Sequence, residues 1–195
     1  MTPRTTEQFE QMRSESKSKI MAAALELFTK QGFDTTPISM ISKKAGVSTG
    51  LMYNYFSSKD QLLEEMIHEA LEMSKKGLAE ISEIDDPFVQ IERFVNKTIY
   101  GMRKRQTIFM SKLILLIQVK PNPSPEMVLL LKEYNLNAYN TLENIFEKME
   151  LENPELEARL LTAILSGFRL QYFLFKNDFQ FDEMYELVME RYTDI

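Results

Sequence analysis

The feature that most constrains this chain is a closely spaced series of helix start and stop signals between Thr36 and Lys59, TPISMISKKAGVSTGLMYNYFSSK. Thr36 is a good N-cap, and Pro37 behind it suits a first helical position, where the missing N–H costs nothing. Ile38 and Ile41 fall on one face, with Ala45 four residues later, so a short helix with an apolar side is expected. Gly46 can adopt the left-handed backbone that ends it. Val47 then acts as an apolar staple, and Ser48 caps a second helix through Leu51, Met52, Tyr53 and Tyr55. One face of that helix can pack while Thr49, Gly50, Tyr53 and Asn54 point outward. This reads as a helix-turn-helix. A short capped helix with a small, polar and aromatic exposed half fits a DNA major groove.

The same residues carry a family resemblance. Ile20–Met66 resembles the N-terminal DNA-binding domain of the TetR family of bacterial transcriptional regulators, and covers about a quarter of the chain. The resemblance rests on AALELFTKQGFDTT, the Ala45-Gly46-Val47-Ser48 turn, the helix Gly50-Leu51-Met52-Tyr53-Asn54-Tyr55-Phe56, and Ser58-Lys59-Asp60-Gln61-Leu62. Two positions depart from the usual pattern: Ser42 stands where many members have Ala, and Thr49 where many have Lys or Pro. The resemblance implies that Thr49, Gly50, Leu51 and Tyr53, with Ser48 and Asn54 beside them, face base edges. It implies that Thr36, Tyr55 and Lys59 bind phosphates. Lys43 and Lys44 read as solvated flanking charges.

Along the rest of the chain the helical period persists. A first helix is expected from about Ser16, with Ile20, Ala23, Ala24, Leu27 and Phe28 buried and Gly32 ending it; residues 1–15 read as a disordered or fraying arm. Ser58 caps a long helix reaching Lys76 or Ile81. Asp86-Pro87 and Asn153-Pro154 open two more, by cap and first-turn proline, and Arg103-Lys104-Arg105 is expected to close the first of these. Ile108–Val119 and a segment from Glu126 to about Met149 are helical, separated by the proline-rich loop Lys120–Pro125, and a last helix runs from about Asp182 to Tyr192. With no strand candidate, the fold class is all-α: about nine helices, a three-helix head over residues 1–60 and a helical ligand-binding and dimerisation body over 61–195.

Composition excludes several alternatives. No cysteine is present, so neither a disulfide framework nor a thiolate metal site is available. The N-terminus has no apolar signal core, and the most apolar run, 160–175, is interrupted by Arg169 and Gln171; a cytoplasmic location away from the membrane is expected. The net charge of −6 is unevenly spread, since residues 1–60 hold eight Lys/Arg against six Asp/Glu. An acidic body with a mildly basic head is compatible with phosphate binding by the head. Gly46-Val47-Ser48-Thr49-Gly50 matches the hydrolase pattern G-x-S-x-G, but a helix precedes it where a strand is required. The single histidine, His68, reads as an ordinary helix residue, and no enzyme or cofactor motif is found.

By resemblance, the body senses a ligand and dimerises through its last two long helices. The expected dimer interface is Leu160, Leu161, Ile164, Gly167, Phe168 and Tyr172 with Met184, Leu187 and Val188. Expected cavity positions for a small hydrophobic effector are Phe94, Tyr100, Met102, Phe109, Met110, Tyr134 and Phe168, each of which also suits plain core packing. The expected function is a homodimeric repressor bound to double-stranded DNA at a palindromic operator and released by the effector. An activator or partner-controlled regulator without an effector stays open, as does a carrier or enzyme for hydrophobic compounds.

Overall fold

Among the described residues, nine α-helices and one 3₁₀ turn account for the chain, and no strand is present. The computed structural model describes residues 6–118, 120–175 and 178–193, with the side chains of a few positions, Phe109 and Met110 among them, outside the described set. The helices are α1 (Thr6–Gln31), α2 (Ile38–Ala45), α3 (Thr49–Tyr55), α4 (Lys59–Ser82), α5 (Pro87–Ile99), α6 (Arg105–Gln118), α7 (Pro125–Lys148), α8 (Pro154–Phe175) and α9 (Phe181–Thr193). The 3₁₀ turn, Tyr100–Arg103, lies between α5 and α6.

Local signals set most boundaries. Ser58 Oγ accepts from Gln61 N–H at 3.0 Å, and the Gln61 side chain accepts in return from Ser57 N–H at 2.6 Å, a reciprocal cap that starts α4. Asp86 Oδ1 accepts from Phe88 N–H at 2.8 Å, with Pro87 in the first turn of α5. Gly46 takes φ 71°, and the N–H groups of Gly46 and Val47 return to Lys43 O and Ser42 O, the Schellman ending of α2.

Three expectations are corrected. Helix α1 begins at Thr6, so the helix includes residues assigned to the arm; Gln11 donates to Glu15, and Ser16 Oγ to Met12 O, across successive turns. Pro37, not Thr36, is the N-cap of α2, and its carbonyl accepts from Met40 and Ile41. Arg103 does not close α5, which ends at Ile99; its guanidinium lies 4.2 Å from the Phe181 ring centroid and 5.5 Å from that of Tyr100.

The residues divide into two compact units, Met1–His68 with Lys112–Val128, and Glu69–Ser111 with Leu129–Ile195. The first unit takes in more than the first sixty residues. In this first unit Ile20, Ala24, Phe28, Ile41, Met52, Phe56, Leu62 and Met66 are buried, each large side chain contributing roughly 1.5–3 kcal/mol. The Phe33 ring packs on Phe28 at 4.8 Å and carries two ammonium groups, Lys59 at 4.7 Å and Lys120 at 4.3 Å. Lys120 is also 3.5 Å from Asp60, and Ser124 Oγ donates to Glu64 at 2.8 Å, which ties the proline-rich loop to this unit. Glu26 bridges Lys30 and Lys44, whose hydrogen bonds hold its carboxyl down at about 2. Its folded pKa is depressed, so the stability it adds is present above the ordinary carboxylate range and lost as pH falls toward 2.

The second unit is built around Ile91, Val95, Ile99, Leu142, Phe146, Leu161, Leu165 and Tyr192. Tyr100 donates to Asp182 at 2.6 Å, and that bond, then burial, pushes its hydroxyl up to about 12.

Because a Cβ on Gly46 would meet nothing within 4 Å, only backbone strain opposes substitution there. Gly46→Ala is expected to cost about 1–2 kcal/mol and Gly46→Asn less, measured by urea denaturation. Equal effects of the two would contradict a left-handed requirement.

Candidate nucleic-acid interface and effector cavity

The turn at Gly46 delivers Ser48 as the N-cap of α3, where its Oγ accepts from Leu51 N–H at 3.1 Å. Met52 within the helix and Phe56 at its end are buried, which fixes the opposite face outward. Ser48, Thr49, Gly50, Tyr53 and Asn54 are exposed, Tyr53 by 53%, while Leu51 and Tyr55 are half-buried. Nothing lies within 4 Å of the space a Gly50 side chain would take. The Arg13 guanidinium stands 5.8 Å from the Tyr55 ring centroid.

The two departures from the family pattern meet each other. Ser42 Oγ and Thr49 Oγ1 are 3.1 Å apart, and Ser42 Oγ also donates to Ser39 O at 3.1 Å. Ser42 is almost fully buried, so this hydroxyl pair joins α2 to the first turn of α3 and orients Thr49. Sequence spacing alone could not show a seven-residue contact across a turn.

Two expected phosphate ligands have hydrogen-bond partners within the chain. Thr36 is fully buried; its hydroxyl donates to Gly32 O at 2.7 Å and accepts from Gln31 Nε2 at 3.1 Å. It closes the end of α1 and is not presented to a phosphate. The Lys59 ammonium donates to Phe33 O at 2.7 Å and Asp34 O at 3.1 Å, leaving one of three donors uncommitted on a half-buried side chain. Lys44 is paired with Glu26 at 3.0 Å, whereas Lys43 is exposed without a carboxylate partner among the described residues. His68 is exposed, with Nε2 3.9 Å from Glu126, and no metal-ligand cluster occurs among the described residues.

In the second unit a cavity of about 300 Å³ opens among α4, α5, the 3₁₀ turn, α6, α7 and α8. Of the expected lining residues it includes Phe94 and Tyr134. Tyr100 is drawn away by Asp182 and the Phe181 ring, and Phe168 packs edge-on against Phe179 at 6.3 Å. Met102 is buried in the core beside a separate small crevice. Phe109 and Met110 have side chains outside the described residues. Lys97, Lys104 and Arg169 line the cavity and were not expected there.

On α8 and α9 the expected interface also divides. Leu160 and Leu187 are exposed, but Leu161 and Val188 are buried in the unit's own core and unavailable to another subunit. Ile164, Phe168 and Tyr172 pack partly against that core, while Gly167 and Met184 are half-exposed. Leu156, Leu170 and Leu174 extend the exposed strip on α8. No described helix is long and apolar enough to cross a membrane.

Comparison with known proteins agrees with this geometry. Residues 20–66 match the profile of the family described as bacterial regulatory proteins, tetR family. The HTH-type transcriptional regulator HbdR of Aromatoleum sp. (strain CIB) is 49% identical over 49 residues, 25% of this chain and 21% of that regulator, so the chain spans about a fifth of that relative's length. A transcriptional regulator of Rhodococcus sp. Rha1 superposes with TM-score 0.75 at 16% identity, over 89% of this chain and 91% of that one. A regulator of Saccharomonospora viridis, solved in complex with choline, superposes with TM-score 0.73 at 18% identity, over 93% and 96% of the two chains. The all-α fold is that of these solved structures, and within it residues 20–66 are similar to the tetR family of bacterial regulatory proteins.

If Thr36 closes α1 rather than binding phosphate, Thr36→Val should lower stability by about 0.5–1.5 kcal/mol through the lost hydrogen bonds to Gly32 O and from Gln31 Nε2. An unchanged melting temperature with weakened DNA binding would contradict this.

Proposed function

We propose that the protein is a homodimeric, sequence-specific transcriptional regulator, a repressor that a small effector releases from a palindromic operator. The observation that carries this reading is the Ser48-capped α3 with Tyr53 exposed on it. In it, α3 enters a major groove with Thr49, Gly50, Leu51, Tyr53 and Asn54 toward base edges. Ser48 and the first-turn N–H groups of α3, the Tyr55 hydroxyl and the remaining Lys59 donor meet phosphates. Lys43 adds charge without reading sequence.

Dimerisation supplies the second head. Leu156, Leu160, Leu170 and Leu174 form an exposed apolar strip on α8, and Leu187 is exposed on α9; such a strip is unfavourable in water and favours a second copy. Two heads then read half-sites about one helical turn, ~34 Å, apart. The cavity supports control by a small molecule over control by a protein partner alone. Helices α4, α6 and α7 each have residues in both units, so an effector that shifts them alters the heads' spacing. Thermodynamically, the effector must prefer the state that does not bind DNA.

Electrophoretic mobility tests the assignment. Tyr53→Ala should weaken binding to the selected site by about 1–3 kcal/mol and to random DNA far less; equal losses on both would contradict base reading. Leu160→Glu with Leu174→Glu should convert the dimer to monomers in light scattering. A dimer of unchanged affinity would place the interface elsewhere.

A further inference from the structure

The lining of the cavity is chemically lopsided. Lys97, Lys104 and Arg169 all contribute to it, and no Asp or Glu does. Lys97 is compensated, since its ammonium donates to Glu80 at 3.1 Å and to Gly77 O at 3.2 Å. Lys104 and Arg169 have no carboxylate partner among the described residues; Arg169 donates only to Ser166 Oγ, at 2.9 Å. Lys104 is exposed and Arg169 half-buried, and two cations without carboxylate partners on the lining of one apolar-walled cavity attract an anion.

The neutral polar groups favour the same occupant. Thr98 and Thr162 spend their hydroxyl protons on the carbonyls of Phe94 and Ala158. The hydroxyls of Ser74, Thr107 and Tyr134 make no hydrogen bond among the described residues and remain available as donors. Leu78, Ile81, Phe94 and Leu165 add apolar surface to the same lining. A lining that combines these donors with hydrocarbon suits an amphipathic anion. The volume, about 300 Å³, lies at the small end of the range for ligand sites.

We infer that the cavity binds a small amphipathic organic anion, with a carboxylate held by Arg169 and Lys104 and a hydrocarbon tail against Leu78, Ile81, Phe94 and Leu165. The planar guanidinium of Arg169 can donate two parallel hydrogen bonds to a carboxylate, and Lys104 adds a point charge. A quaternary ammonium is excluded by the same cations. This inference rests on reading the cavity as the effector site.

Calorimetric titration of the full chain tests it, with octanoate, octanamide, octyl phosphate and octyltrimethylammonium as probes. Octanoate is expected to bind about tenfold or more tightly than octanamide, and the ammonium not detectably. Stronger binding of octanoate than of octyl phosphate identifies the carboxylate. The reverse keeps an anion but overturns the carboxylate assignment. Arg169→Gln with Lys104→Gln should abolish the preference over octanamide while leaving thermal melting and DNA mobility without effector unchanged. Equal binding of octanoate and octanamide, a preference for the ammonium, no binding by any probe, or a preference surviving both substitutions would overturn the inference. Release of DNA by octanamide as readily as by octanoate would overturn the charge assignment alone and leave the regulator reading standing. Failure of the untreated protein to shift any DNA would instead remove that reading.

Discussion

One backbone conformation decides what the first unit can do. Gly46 at φ 71° ends α2 and redirects the chain so that Ser48 can cap α3 within two residues. With Met52 and Phe56 buried on one side, the other side of α3 has only solvent to face. Seven residues would be a marginal helix alone; the cap and the packing of Met52 hold it. The hydroxyl pair between Ser42 and Thr49 then fixes the first turn, where an exposed helix would otherwise fray.

A second centre of organisation is Phe33, which closes the same unit. Its ring rests on Phe28 beneath the ammonium groups of Lys59 and Lys120, and its carbonyl accepts from Lys59. Residues from the start of α4 and from the loop before α7 therefore converge on the end of α1. A cation placed over an aromatic face and bonded to loop carbonyls is favourable twice, through the ring quadrupole and through charge-assisted hydrogen bonds. In the second unit the order of priorities differs: Leu161 and Val188 fill the core, while Leu156, Leu174 and Leu187 stay exposed.

What could be read from the sequence was what depends on near neighbours. The caps at Ser48, Ser58 and Asp86, the glycine turn and the outward Tyr53 each follow from residues within four positions, and each is present. What the sequence did not show involves long-range partners. Thr36 has the chemistry of an N-cap, yet its hydroxyl turns back to Gly32 and leaves Pro37 to start α2. Lys59 has the charge of a phosphate ligand, but carbonyls 25 and 26 residues earlier take two of its donors. Aromatic content suggested the cavity lining, whereas the structure uses Tyr100 and Phe168 for packing and gives the lining Lys104 and Arg169. The resemblance put Leu161 among the partner-facing residues, and because α8 is apolar over most of its circumference its sequence could not separate the inner face from the outer.

The most direct test of the central claim, that α3 presents a base-reading surface in two copies, is selection of bound fragments from random duplex DNA by the full-length protein. The account predicts enrichment of one motif with two inverted half-sites whose centres lie about one helical turn, ~34 Å, apart. Bound fragments sharing no sequence, or sharing a single unrepeated half-site, would contradict it.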